Sequence, residues 1–129
     1  MLELASRYGT DQPMRIRDIA DRHGIPSRFL VQILLQLKGA GYVASTRGAA
    51  GGYRLVKKPT KVTLGQVMKA IGGRDELVAS NTDAESPLLD VLLETWNDVA
   101  RAEREQLDSI TLAALLERAS QRTEGMYYI

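Results

Sequence analysis

The sequence has no cysteine. Disulfides, thiol nucleophiles and thiolate-held metal clusters are excluded by that absence alone, and it fits a reducing compartment. Histidine occurs once, at His23, near a predicted helix end. A lone imidazole there suits a carbonyl better than a metal. No apolar run approaches the ~18 residues of a membrane span, and no basic-then-apolar leader opens the chain. A cytoplasmic protein without membrane contact is expected. Internal repeats, low-complexity tracts, a Ser/His/Asp set, a Gly-rich phosphate loop and metal-ligand spacings are all missing, so an enzyme is not expected. With 129 residues, one domain with an appendage is the expectation.

The net charge of +1 hides an asymmetry. Residues 1–60 hold ten Lys and Arg against four Asp and Glu, while residues 61–129 hold seven against twelve. A basic front and an acidic rear suit a polyanionic partner bound at the front only.

The most informative stretch runs from Ile25 to Leu55. Phe29, Leu30, Ile33, Leu34 and Leu37 form one apolar stripe at helical spacing. Ser27 is a candidate N-cap, and Gly39 or Gly41 a candidate stop. The other face carries Arg28, Val31, Gln32, Leu35 and Gln36. Two short β-like runs follow, Tyr42 to Thr46 and Tyr53 to Val56. The glycine-rich link from Arg47 to Gly52 permits a hairpin tip. Upstream, Arg17 to His23 reads as a short helix that Gly24 ends and Ile25-Pro26 turns. Helix, tight turn, helix and basic hairpin together predict a winged helix-turn-helix, a fold that is mainly α with a small β-hairpin.

The remainder is helical with one loop. Thr63 and Gln66 have capping-box spacing ahead of Leu64, Val67, Met68 and Ile71. Arg74 to Ser86 is polar and aperiodic. A long helix is predicted from Pro87 to Leu107, with the stripe Leu89, Leu92, Leu93, Trp96, Val99, Ala100 and Leu107. At ~1.5 Å per residue it exceeds what a small domain covers unaided, so pairing with the same helix of a second copy is expected. Ser109 or Thr111 caps a last helix through Leu112, Leu115 and Leu116 to Ser120. The tail Met126 to Ile129 is apolar. The expected division is residues 1–73 for DNA binding, 74–86 for the loop, and 87–129 for dimerisation.

These pieces resemble the Rrf-two family of bacterial winged-helix transcription regulators, of the IscR, NsrR and CymR type. The matching residues are Ile19-Ala20, Ile25-Pro26, Phe29-Leu30, Ile33, Leu37 and Ala40-Gly41-Tyr42-Val43. To these add Ser45, Arg47-Gly48, Gly51-Gly52-Tyr53, Leu55, Val62-Thr63-Leu64, Ile71-Gly72-Gly73 and Leu107 to Leu112. The wing string Arg-Gly-x-x-Gly-Gly-Tyr is the specific part. The resemblance implies a homodimeric DNA-binding repressor acting on a pseudo-palindromic operator. Family members carry further residues ahead of the position of Met1, so a late-assigned start or a shortened chain is expected. Cluster-binding members have three cysteines where this loop has Asp75, Glu76, Asn81, Asp83 and Glu85. Iron–sulfur sensing therefore does not carry over, no cofactor is expected, and a small-molecule or protein effector stays open.

The candidate DNA-binding residues are Ser27, Arg28, Val31, Gln32, Ser45, Thr46, Arg47 and Arg54. Arg bonds guanine bidentately, Gln bonds adenine, and Val meets a thymine methyl. Family resemblance places the base-facing positions at Arg28, Val31 and Gln32; specific members have an acid where Val31 stands. Arg47, among glycines that cannot bury it, suits a narrow minor groove. Ser45, Thr46, Arg54, Lys57 and Lys58 suit phosphates. The competing reading is a winged helix that binds protein instead of DNA, which a neutral or acidic face from Arg28 to Gln36 would favour.

Overall fold

The computed structural model describes the chain apart from residues 73–78, 80–82, 84, 128 and 129, with the backbone alone for 126 and 127. The elements run α1 (Leu2–Ser6), α2 (Ile16–His23), α3 (Ser27–Gly39), β1 (Val43–Thr46), β2 (Gly52–Leu55), a 3-10 turn (Pro59–Lys61), α4 (Leu64–Ala70), α5 (Pro87–Asp108) and α6 (Leu112–Tyr127).

Local chemistry accounts for most boundaries. Gly24 ends α2 in the left-handed conformation, at φ +65°, which a β-carbon disfavours. Ile25 N–H then bonds the Ala20 carbonyl at 3.0 Å, so the chain reverses at once into α3. Pro26, not Ser27, occupies the N-cap position of α3, and Ser27 opens the helix without a side-chain cap bond. Proline's fixed φ suits that entry, and the Leu30 N–H bonds the Pro26 carbonyl. Thr63 and Gln66 form a reciprocal capping box at α4. Ser86 accepts from the Leu89 N–H at α5, with Pro87 in the first turn, and Thr111 accepts from the Ala114 N–H at α6. α6 runs on to Tyr127, past the expected stop at Ser120, because the Arg118 to Glu124 stretch contains no breaker.

The core gathers Leu30, Leu34 and Leu37 of α3 with Leu4, Ala5, Ile19, Ala20, Val43, Leu55, Val62 and Leu112. Phe29, expected in this stripe, is 60% exposed. The buried line is i, i+4, i+7 from Leu30, and Phe29 sits about 100° round the helix from it. The hairpin gains one further rung from outside the two strands: Met14 and Tyr53 exchange backbone hydrogen bonds at 2.8 and 2.7 Å. A similar bridge joins Thr63 to Thr111. There Leu64 N–H bonds the Ile110 carbonyl and Leu112 N–H the Val62 carbonyl, both at 2.9 Å. The start of α6 is thereby fastened to the start of α4, and α5 packs on α4.

Along the 22 residues of α5, one side is half-covered by its own chain and one is open. Leu89, Leu93, Ala100 and Leu107 are half-buried, whereas Leu92, Trp96 and Val99 are 58%, 61% and 63% exposed. Leu88 and Val91 extend the open side. The loop residues Asp75, Glu76 and Asn81, and the tail residues Tyr128 and Ile129, lie outside the described residues; Asp83 and Glu85 are exposed.

Gly52 tests the Met14–Tyr53 rung. Its φ is +149°, and a β-carbon there would press on the Met14 carbonyl. Gly52→Ala is expected to destabilise the protein by about 1–3 kcal/mol. Gly39→Ala, in open space at the end of α3, is expected to be neutral or stabilising by up to about 1 kcal/mol. Urea unfolding of both variants checks the contrast.

Candidate nucleic-acid interface

Burying Leu30, Leu34 and Leu37 leaves the opposite face of α3 to solvent. Ser27, Arg28, Gln32, Leu35 and Gln36 are exposed on it, and Val31 is half-buried at its edge. This is the second helix of the helix-turn-helix, the one that enters the major groove in proteins of this class.

The wing stands beside it and is fastened to it. Lys38 Nζ donates to Ser45 Oγ at 2.7 Å, joining the end of α3 to β1. In the antiparallel register Ala44 pairs with Arg54, Ser45 with Tyr53 and Thr46 with Gly52. Alternation along a strand therefore puts Thr46 and Arg54 on one face of the hairpin and Ser45, with Tyr53, on the other. The structure thus brings Thr46 and Arg54 together and gives Ser45 a separate partner. Arg47 and Gly48 begin the tip, and Arg47 is exposed.

The basic residues divide into engaged and free. Glu3 collects Arg22, His23 at 3.3 Å and Arg7 at 3.9 Å, which ties α1 to α2. That explains His23 without a ligand. Lys57 Nζ lies 4.3 Å from the centroid of the Tyr42 ring, a cation–π contact that keeps its charge available. Arg28, Arg47, Arg54 and Lys58 form no ion pair among the described residues. Their charge is uncompensated locally. The exposed line Asp90, Glu94 and Asp98 lies on α5 instead.

Sequence reasoning missed Lys38. Its signal was present, since it falls seven residues after Val31 and so on the same side of α3, but its partner Ser45 comes together with it only through the fold. The Met14–Tyr53 rung, which steadies β2 next to Arg54, left no sequence signal.

A short two-stranded wing, a helix-turn-helix and a long following helix define the winged-helix DNA-binding class. The family model described as "Rrf2: Iron-dependent Transcriptional regulator" matches residues 1–118. The chain is 36% identical over 125 residues to Protein rrf2 of Nitratidesulfovibrio vulgaris, covering 93% of this chain and 81% of that protein. It is 33% identical over 130 residues to the HTH-type transcriptional regulator CymR of Bacillus subtilis, covering 100% and 91%. The solved structure of T. potens IscR superposes with a TM-score of 0.76 at 30% identity, covering 98% of this chain and 87% of that one. The chain belongs to the Rrf2 family and is a DNA-binding transcription regulator, not an enzyme.

The family's description names iron, and the side chains here do not fit a thiolate-held cluster. No cysteine exists to supply the sulfur. Among the described residues, no group of three His, Cys, Asp or Glu side chains is placed to hold a metal ion. Protein produced anaerobically with iron and sulfide is expected to be colourless. The check is the visible absorption spectrum together with iron analysis. Stoichiometric iron with a charge-transfer band would contradict it.

Proposed function

We propose that the protein is a homodimeric repressor that reads a pseudo-palindromic operator through α3 and the wing. The observation that carries this reading is the set of exposed, locally unpaired cations Arg28, Arg47 and Arg54 around one helix and its attached hairpin. Arg28 and Gln32 read base edges, with Val31 at their flank and Ser27 at the first turn. Arg47 enters the minor groove, and Thr46, Arg54 and Lys58 hold phosphates. Ser45 contributes by holding Lys38 against the wing and through any phosphate within reach of that pair. Residues 1–73 form the DNA-binding part and residues 87–129 the dimerisation part, acting in the cytoplasm.

The dimer forms along α5. Leu92, Trp96 and Val99 are open to solvent, and Leu88 and Val91 lengthen the strip. The spacing 92, 96, 99 is that of a helix-pairing seam, with Leu88 one turn before it. Leu89, Leu93, Ala100 and Leu107 support it from the side that rests on the chain's own body. Leu92→Asp is expected to convert a particle of twice the monomer mass into a monomer, read by light scattering. Wild-type protein that is a monomer at micromolar concentration would refute the seam.

Two substitutions separate the modes of DNA contact. Arg47→Ala is expected to weaken specific and non-specific duplexes alike and to flatten the salt slope by about 0.9. Gln32→Ala is expected to cost about 1–3 kcal/mol on the selected site and little on scrambled DNA. A two-fold dimer also predicts half-sites ~34 Å apart. Fluorescence anisotropy at several salt concentrations, on sites selected from random DNA, checks all three. Wild-type protein that ignores DNA at low salt would mean that the winged helix serves a protein partner.

A further inference from the structure

The reading face of α3 is less polar than the contacts assigned to it require. Leu35 lies in its middle and is 54% exposed, and Val31, one turn earlier, is half-exposed at the edge. A single exposed leucine is ordinary on a protein surface. The position of this one is not. At about 100° per residue, Leu35 projects within about 20° of Arg28, and Val31 within about 60° on the same side. Lys38 lies further round in that direction, and its hydrogen bond to Ser45 fixes that side as the one facing the wing. Val31 and Leu35 therefore form an apolar ridge between the polar pair Arg28 and Gln32 and the hairpin.

What could cover such a ridge is set by its neighbours. No described side chain of the protein does so, and the cations around it attract a nucleic acid. The apolar group that a major groove offers is the C5 methyl of thymine. Val31 and Leu35 are about 6 Å apart along the helix axis, against about 3.4 Å between successive bases. One or two neighbouring base steps fit that span.

We propose that Leu35, together with Val31, is a specificity-determining residue that recognises thymine by its methyl group, on the wing side of the bases bonded by Arg28 and Gln32. The inference rests on the reading above that α3 enters the major groove. Hydrogen bonds from Arg28 and Gln32 select purines, while the ridge selects a pyrimidine that differs from its analogue by one carbon. The two parts of the face thus ask different chemical questions of neighbouring bases.

The test uses the full chain and sites selected from random DNA. Each thymine in the half-site is replaced in turn by uracil, which keeps every hydrogen bond and removes the methyl alone. Wild-type protein should bind about three- to fourfold more weakly for each methyl that the ridge covers. Leu35→Ala should bind the thymine site more weakly and lose at least one of those discriminations, with the same melting temperature to within a few degrees. The uracil series on wild-type protein stands by itself if the variant is unstable. The proposal is overturned if no uracil replacement weakens wild-type binding, if Leu35→Ala retains every discrimination, or if the selected half-sites lack thymine. Failure of the underlying reading looks different: wild-type protein would not prefer selected over scrambled DNA at all.

Discussion

The burial of Leu30, Leu34 and Leu37 is the constraint on which the rest of the molecule depends. These side chains turn one edge of α3 into the core and commit the opposite edge to the outside. A rotation of α3 by a quarter turn would bring Phe29 inward and carry Arg28 and Gln32 off the presented face. The tight Gly24 turn holds α2 against α3 at the start of the helix, and the Lys38–Ser45 bond holds the wing at its end. Interior packing sets which residues face outward, and the fastenings at both ends set the orientation in which they do so.

Charge is distributed by the same logic. Glu3 pairs with Arg7 and Arg22 and contacts His23 where α1 meets α2, away from the hairpin. Among the described residues, Arg28, Arg47 and Arg54 have no such carboxylate. The acids are concentrated on α5, where Asp90, Glu94 and Asp98 line the side of the helix turned away from the open apolar strip. That division suits a polyanion at the helix-turn-helix and wing better than one along α5. A near-neutral chain thereby behaves as a strongly polar one.

Features governed by local rules were legible in the sequence. The Gly24 turn, the Thr63–Gln66 capping box, the Pro87 start of the long helix and the glycine-rich wing each follow from residues within a few positions of one another. The exposed positions of Arg28, Gln32 and Arg47 were legible too, because helical periodicity and a hairpin tip decide them. Phe29 was misplaced because periodicity gives the width of an apolar stripe and not the direction from which neighbours cover it. The Met14–Tyr53 rung and the Lys38–Ser45 bond depend on pairings across the chain that carry no composition signal. The same holds for α5: its stripe was visible, but the sharing of that stripe between the half-covered Leu89 and Leu93 and the open Leu92 and Trp96 depends on where α4 lies.

Leu112 has a consequence for how the protein comes into being. It is among the most deeply buried residues, 1% exposed, and belongs to the same core as Leu4, Leu37 and Val62. The helix-turn-helix is encoded early in the chain, yet the side chain that seals its underside is encoded near the end. During synthesis, which proceeds from the N-terminus at about 5–20 residues per second, the reading face stays incompletely supported until α6 has emerged. Contacts between residues so far apart also make closure of the core a late folding event, since the intervening chain must be ordered first. A chain built this way does not complete the core beneath α3 while α5 is still being made.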